Sequence, residues 1–138
     1  MAHDTPLKRV RGLGSAHHGA HHWLVQRFTA IGNVVLSVWL VGSILWLPDL
    51  GYETVSSWLA QPVSATAMIL LVISTFWHAR LGLQVLIEDY VQNSGTKFGA
   101  LAALNLAVIG GGAFAIFSIA SLAFGGCLLY TSPSPRDS

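Results

Sequence analysis

At 138 residues the chain has the length of one small domain, yet 53% of it is hydrophobic and only 9% is Asp, Glu, Lys or Arg. Soluble domains average about 25% charged residues, so these charges are too few to cover a water-exposed globule. The net charge of +1, with no basic stripe beyond Arg11, gives no sign of a nucleic-acid surface, and the single Cys127 excludes a disulfide within the chain and offers no plausible cysteine-based metal centre.

Three runs, Phe28 to Pro48, Pro62 to Trp77 and Phe98 to Tyr130, contain no charged residue. About 20 apolar residues cross a bilayer as a helix. Continuing the second run through His78 and Arg80 to Ile87 brings it to about 25, enough to cross with tilt. The predicted fold class is therefore all-α, an integral membrane protein with three transmembrane helices. They are placed at residues 24–47, 63–88 and 98–124, within an anchor domain of residues 23–126.

Residues 1–22 read as a cytoplasmic arm, because Lys8, Arg9 and Arg11 precede the first span and basic residues stay on the cytoplasmic side. The arm is longer and more polar than a secretory leader and lacks a small-residue cleavage pattern, so it is expected in the mature protein. Within Ser15 to Ala30, His17 and His21 stand at i,i+4, as do His18 and His22. Such pairs suit zinc or copper, but Gly19 interrupts them and no carboxylate or cysteine completes a set. An interfacial role, or a polar contact to a partner's anion, is the plainer reading. Arg27, at the start of the first span, either snorkels to the headgroups or holds an anionic ligand group in its planar fork.

Pro48, Asp49 and Gly51 close the first helix, with Trp46 at the interface where indoles collect. The following loop, Asp49 to Gln61, holds Asp49 and Glu53 and no basic residue, which places it outside. Trp58 and the Gln61-Pro62 step predict a short interfacial segment, with Pro62 in the first turn of the second span. That span returns to the cytoplasmic side and delivers Glu88-Asp89-Tyr90 there. Asn93, Ser94 and Gly95 are expected to turn the chain, and Lys97 keeps the positive bias on that side. In the third span Gly110-Gly111-Gly112 offers small surfaces for close helix packing, or else room for a flat ligand. Past Gly126 the composition changes abruptly. Residues 127–138 read as an appended or read-through tail outside the fold, and Cys127 is left out of the functional reading with them.

Chemistry concentrates in the second span. A histidine deep in hydrocarbon must be neutral, hydrogen-bonded or coordinated. His78 is such a residue, flanked one turn away on the same face by Ser74 and Gly82, small residues that leave clearance for a porphyrin plane. Asp89 lies eleven residues on, roughly 16 Å along the axis and within about 20° of the same face. Acidic residues at a helix C-terminus oppose its dipole, so Glu88 and Asp89 call for another reason, such as a partner's arginine or a proton task. A tyrosine hydroxyl such as that of Tyr90 suits hydrogen bonding to a quinone carbonyl. One deep histidine cannot supply two axial ligands, so a bound haem would need its second ligand from elsewhere. Arg80 points to another face, toward the interface or a partner.

The pattern His78-Ala-Arg-Leu-Gly82-Leu-Gln-Val-Leu-Ile-Glu88-Asp89-Tyr90-Val resembles the haem-ligand and quinone-site segment of the succinate dehydrogenase (complex II) hydrophobic membrane anchor. Gly12-Leu-Gly-Ser-Ala16, followed by His22-Trp23 and Gln26-Arg27-Phe-Thr-Ala30, is similar to the N-terminal signature of the alphaproteobacterial and mitochondrial-like branch. The resemblance covers roughly Arg11 to Phe124. It implies that His78 is an axial ligand of haem b, shared with a histidine of a second anchor, the cytochrome b556 subunit, within a heteromeric helical bundle. It implies that Tyr90 hydrogen-bonds ubiquinone with Asp89 beside it, and that Arg27 and His21 lie near the haem propionates, at a place where His22 doubles His21. The flavoprotein and iron–sulfur subunits would be the other partners, in the bacterial inner membrane. This chain would anchor them and take no part in succinate chemistry itself. The alternative is a small helical membrane protein with no redox role, such as a transporter subunit or assembly factor.

Overall fold

A computed structural model describes residues 16–130, with side chains described for residues 19–125. The basic residues Lys8, Arg9 and Arg11 and the end of the expected tail, 131–138, lie outside the described residues. Four helices follow one another: α1 (Ala16–Trp46), α2 (Tyr52–Leu59), α3 (Pro62–Tyr90) and α4 (Ser94–Tyr130). Three of them, α1, α3 and α4, are long and apolar enough to cross a membrane. The all-α expectation holds for the described residues.

The helices overrun the apolar stretches that announced them. α1 begins at Ala16 instead of near residue 24, passing through Gly19, and α4 continues through Gly125-Gly126 to Tyr130. A charge-free run marks the hydrocarbon layer, whereas a helix stops only where its backbone bonds find another partner. Such stops are visible elsewhere. Gln61 is extended and Pro62 occupies the first turn of α3, where a missing N–H costs nothing. At the other end of α3 the chain becomes extended at Val91, whose N–H donates to the Ile87 carbonyl at 3.0 Å. Asn93 then starts α4. Its side-chain oxygen accepts from the Gly95 N–H at 3.1 Å and its carbonyl from the Lys97 N–H at 2.8 Å, an N-terminal cap. The expected Asn93-Ser94-Gly95 turn is thus a cap followed directly by helix.

The expected interfacial segment is α2. Asp49 braces its entry, accepting from the Gly51 N–H at 2.7 Å. Its carboxyl is held below the usual carboxylate range, first by the Thr54 side chain and then by that Gly51 N–H. Trp58 of α2 stacks on Trp39 of α1 with ring centroids 5.7 Å apart, an aromatic side-chain contact to the first span, while the backbone of α2 packs against α4 and α3.

The middle span α3 is the hub. Both α1 and α4 pack against it, while among the described residues α1 and α4 do not pack against each other. Only Leu59, Ser64, Leu81 and Ile119 are buried among the described residues, so nearly every apolar side chain keeps part of its surface exposed, as expected where lipid or another helix takes the place of water. Against α4 the fit depends on Gly111. A Cβ there would come within 2.9 Å of the Phe76 ring, whereas one at Gly110 would meet nothing. The glycine run therefore serves helix packing at Gly111.

Gly111→Leu should lower stability by about 1–3 kcal/mol through overpacking against Phe76. Gly110→Leu, projecting into open space, should stay within about 0.5 kcal/mol of the parent. Thermal loss of helical circular dichroism in detergent checks the pair.

Candidate functional site

The α1–α3 contact is a polar seam inside two apolar helices. Thr29 Oγ1 lies 3.1 Å from His78 Nδ1. One turn away, Ser74 Oγ donates to the Thr29 carbonyl at 3.1 Å, and Thr75 Oγ1 donates to Asn33 Oδ1 at 3.4 Å. Gly32 lies at this contact, where an added Cβ would stand 3.4 Å from Ser74 Oγ, an ordinary contact distance. His78 is half-buried, and Nδ1 is the ring nitrogen engaged. Of the two small residues expected to give clearance, Gly82 does, with nothing near an added Cβ, while Ser74 is occupied by α1.

Arg80 belongs to the opposite contact. Its Nε donates to Asn105 Oδ1 of α4 at 2.6 Å, and its guanidinium carbon lies 5.6 Å from the Trp77 ring centroid. A guanidinium within a span needs such partners. The pair sits at the edge of a groove of about 460 Å³ between α3 and α4, lined also by Phe76, Val108 and Gly112.

At the α3 C-terminus Glu88, Asp89 and Tyr90 are all exposed, Tyr90 at 81%. Glu88 is tied to its own chain: Gln84 Nε2 donates to its carboxylate at 2.9 Å, and Lys97 Nζ donates to its carbonyl at 3.0 Å. Lys97 thereby answers the unpaired carbonyls and negative dipole end of α3. The hydrogen bonds of the described residues leave Asp89 and the Tyr90 hydroxyl facing outward. They stand at the same end of the bundle as the start of α1.

There Arg27 is exposed and lies over its own Trp23, 5.5 Å from the ring centroid. Two residues from Thr29 on a helix means a different face, so α1 does not aim Arg27 at His78. His21 is exposed, while His22 is half-buried. His22 precedes Thr29 by seven residues, which leaves the two within about 20° of one face. Of the doubled pair, His22 thus shares the seam side of α1. The structure joins His78 to Thr29 and groups Asp89 with Tyr90, but it does not bring Arg27 or His21 to His78. Among the described residues no three His, Cys, Asp or Glu side chains converge as a metal site.

Sequence reading missed Thr29 and Asn105 as partners. The available signal was a hydrogen-bonding side chain inside a charge-free run, a position where lipid leaves polar groups to find protein partners.

The family model described as succinate dehydrogenase/fumarate reductase transmembrane subunit matches residues 1–120. The chain is 35% identical over 108 residues to a succinate dehydrogenase hydrophobic membrane anchor subunit of Rickettsia bellii, covering 77% of this chain and 86% of that one. A relative of the same description from Rickettsia conorii is 37% identical over 94 residues, 66% of this chain and 75% of its own. One from Paracoccus denitrificans is 30% identical over 128 residues, 91% of this chain and 96% of its own. With three apolar helices and a family match across nearly the whole chain, this protein belongs to the succinate dehydrogenase/fumarate reductase transmembrane subunit family.

Proposed function

We propose that this chain anchors a succinate:ubiquinone oxidoreductase in the bacterial inner membrane, sharing haem b with a second anchor subunit and contributing to the ubiquinone site. The observation that carries the reading is the state of His78. Its Nδ1 is engaged by Thr29, its Nε2 is left without a partner among the described residues, and Gly82 opens space one turn further on the same face. A neutral imidazole bonded through one nitrogen and free at the other is the donor that haem iron takes. The residues present therefore fit the group, with a histidine of the partner cytochrome b556 subunit as the opposing ligand.

When bound, haem b supplies a one-electron store beside the quinone. This chain's residues hold and orient it: His78 gives a ligand, and α1 sets the ring's direction through Thr29. The second part of the site is the rim at Tyr90 and Asp89. Reducing ubiquinone to ubiquinol takes two electrons and two protons. The Tyr90 hydroxyl donates to a quinone carbonyl, and Asp89, exposed beside it, passes protons from the aqueous side. Both face outward at the helix end, open to a lipid-soluble substrate and to the iron–sulfur subunit from which electrons would come. Arg27 and His21 or His22, at the same end of the bundle, suit the carboxylates of the haem propionates.

Charge distribution gives the orientation. Lys8, Arg9 and Arg11 precede the first span in the sequence and Lys97 follows the second, whereas the segment between the first two spans, residues 49–61, has no basic residue; this bias supports a cytoplasmic N-terminus and quinone rim. The flavoprotein and iron–sulfur subunits dock there.

In the intact complex, His78→Ala should remove most of the b-type signal from the reduced-minus-oxidised spectrum; an unchanged spectrum overturns the ligand assignment. Tyr90→Phe should slow ubiquinone reduction about tenfold, the worth of one hydrogen bond of ~1.4 kcal/mol. Succinate oxidation with an artificial soluble acceptor should persist, and equal loss of both activities would point instead to failed assembly.

A further inference from the structure

We propose that Thr29 is the positioning residue that selects the Nε2-ligating tautomer of His78, by accepting the Nδ1 proton of that imidazole. The inference rests on the haem reading above and adds the residue that prepares the ligand.

The argument is a count of protons. Thr29 Oγ1 has three neighbours: the Val25 carbonyl at 2.9 Å, the Gln26 carbonyl at 3.1 Å and His78 Nδ1 at 3.1 Å. A hydroxyl offers one proton and two lone pairs. Carbonyl oxygens only accept, so the Thr29 proton is directed to the α1 backbone, the ordinary back-bond of a helical threonine. What remains toward His78 is a lone pair, which requires Nδ1 to carry the hydrogen. The neutral ring then bears its lone pair on Nε2, the nitrogen that has no partner among the described residues. The opposite tautomer would set two lone pairs against each other across 3.1 Å, or strip the back-bond from the threonine.

A further contact bears on the backbone of the same residue. Ser74 Oγ donates to the carbonyl of Thr29 itself, so the same residue is gripped at its backbone and its side chain. Gly32 lies beside that contact, where an added Cβ would meet Ser74 Oγ at 3.4 Å, an ordinary contact distance. The seam thereby sets the height and rotation of α1 relative to the histidine, and the threonine acts as a fixed acceptor. An acceptor on Nδ1–H raises the basicity of the opposite nitrogen, which strengthens iron binding and favours the oxidised metal.

The test uses the intact membrane complex with Thr29→Val, which keeps shape and removes the acceptor, Thr29→Ser, which keeps the acceptor, and Ser74→Ala, which loosens the seam but leaves the hydroxyl. Haem retained per flavin, the haem midpoint potential and the low-spin electron paramagnetic resonance signal are read alongside succinate oxidation with a soluble acceptor, which reports assembly. Thr29→Val should weaken haem retention on the order of tenfold or more and raise the midpoint potential of what remains. Thr29→Ser should restore both, and Ser74→Ala should leave the potential near wild type. If Thr29→Val does not assemble, Thr29→Ala carries the same comparison. Wild-type haem content and potential in the acceptor-less variants, or an equal shift in Ser74→Ala, would overturn the inference. Retention of haem by His78→Ala would instead remove the reading beneath it, so the two failures are distinguishable.

Discussion

In hydrocarbon two helices gain nothing by hiding leucines from each other, since lipid tails are as apolar as the side chains they would replace. The bundle therefore depends on what lipid cannot offer. On one flank of α3 that is the hydrogen-bonded seam of Thr29 with Ser74 and His78. On the other it is the Arg80–Asn105 bond together with Phe76 seated on Gly111. The polar side chains Ser74, Thr75, His78 and Arg80 in the middle of α3 are each spent on a neighbour, and the two flanks use different devices. The seam is made of hydrogen bonds from short hydroxyl side chains, whereas the α4 flank joins a long cation to an amide and a ring to a glycine.

This division sets α3 apart from the other two spans. It is the element that both other spans touch, so its side chains are the best constrained in rotation and height. His78 lies under α1, Arg80 under α4, and the remaining surface, including Gly82 and the exposed rim at Tyr90, is left to lipid and partner subunits. A chain with so few buried residues is consistent with a subunit whose packing is completed by others, as membership of a dehydrogenase membrane-subunit family implies.

The spans were legible because charge is excluded from hydrocarbon, and that rule operates residue by residue along a chain. Pro62 and the Trp58 segment were legible for similarly local reasons. The ends of α1 and α4 were not: Gly19, Gly125 and Gly126 read as breaks in composition, yet neighbouring backbone bonds carry the helix through them. Asn93 read as a turn residue, and the same side-chain chemistry that favours turns made it a cap. Of the candidate site, His78 and the Asp89–Tyr90 rim stood out as polar groups in the wrong solvent or at the wrong end of a dipole. Thr29 and Asn105 did not, because their meaning lies in which residue faces them across a helix pair, and that register is invisible to any single-helix periodicity.

The uninterrupted helix between His78 and Tyr90 works as a ruler as well as a support. Each residue inserted or deleted in that stretch would swing the phenol by about 100° around the axis and shift it by about 1.5 Å. Bilayer thickness tolerates such a change through tilt, whereas the angle between imidazole and phenol changes with every residue added or lost. In this half of α3 a change of length is first of all a change of rotation.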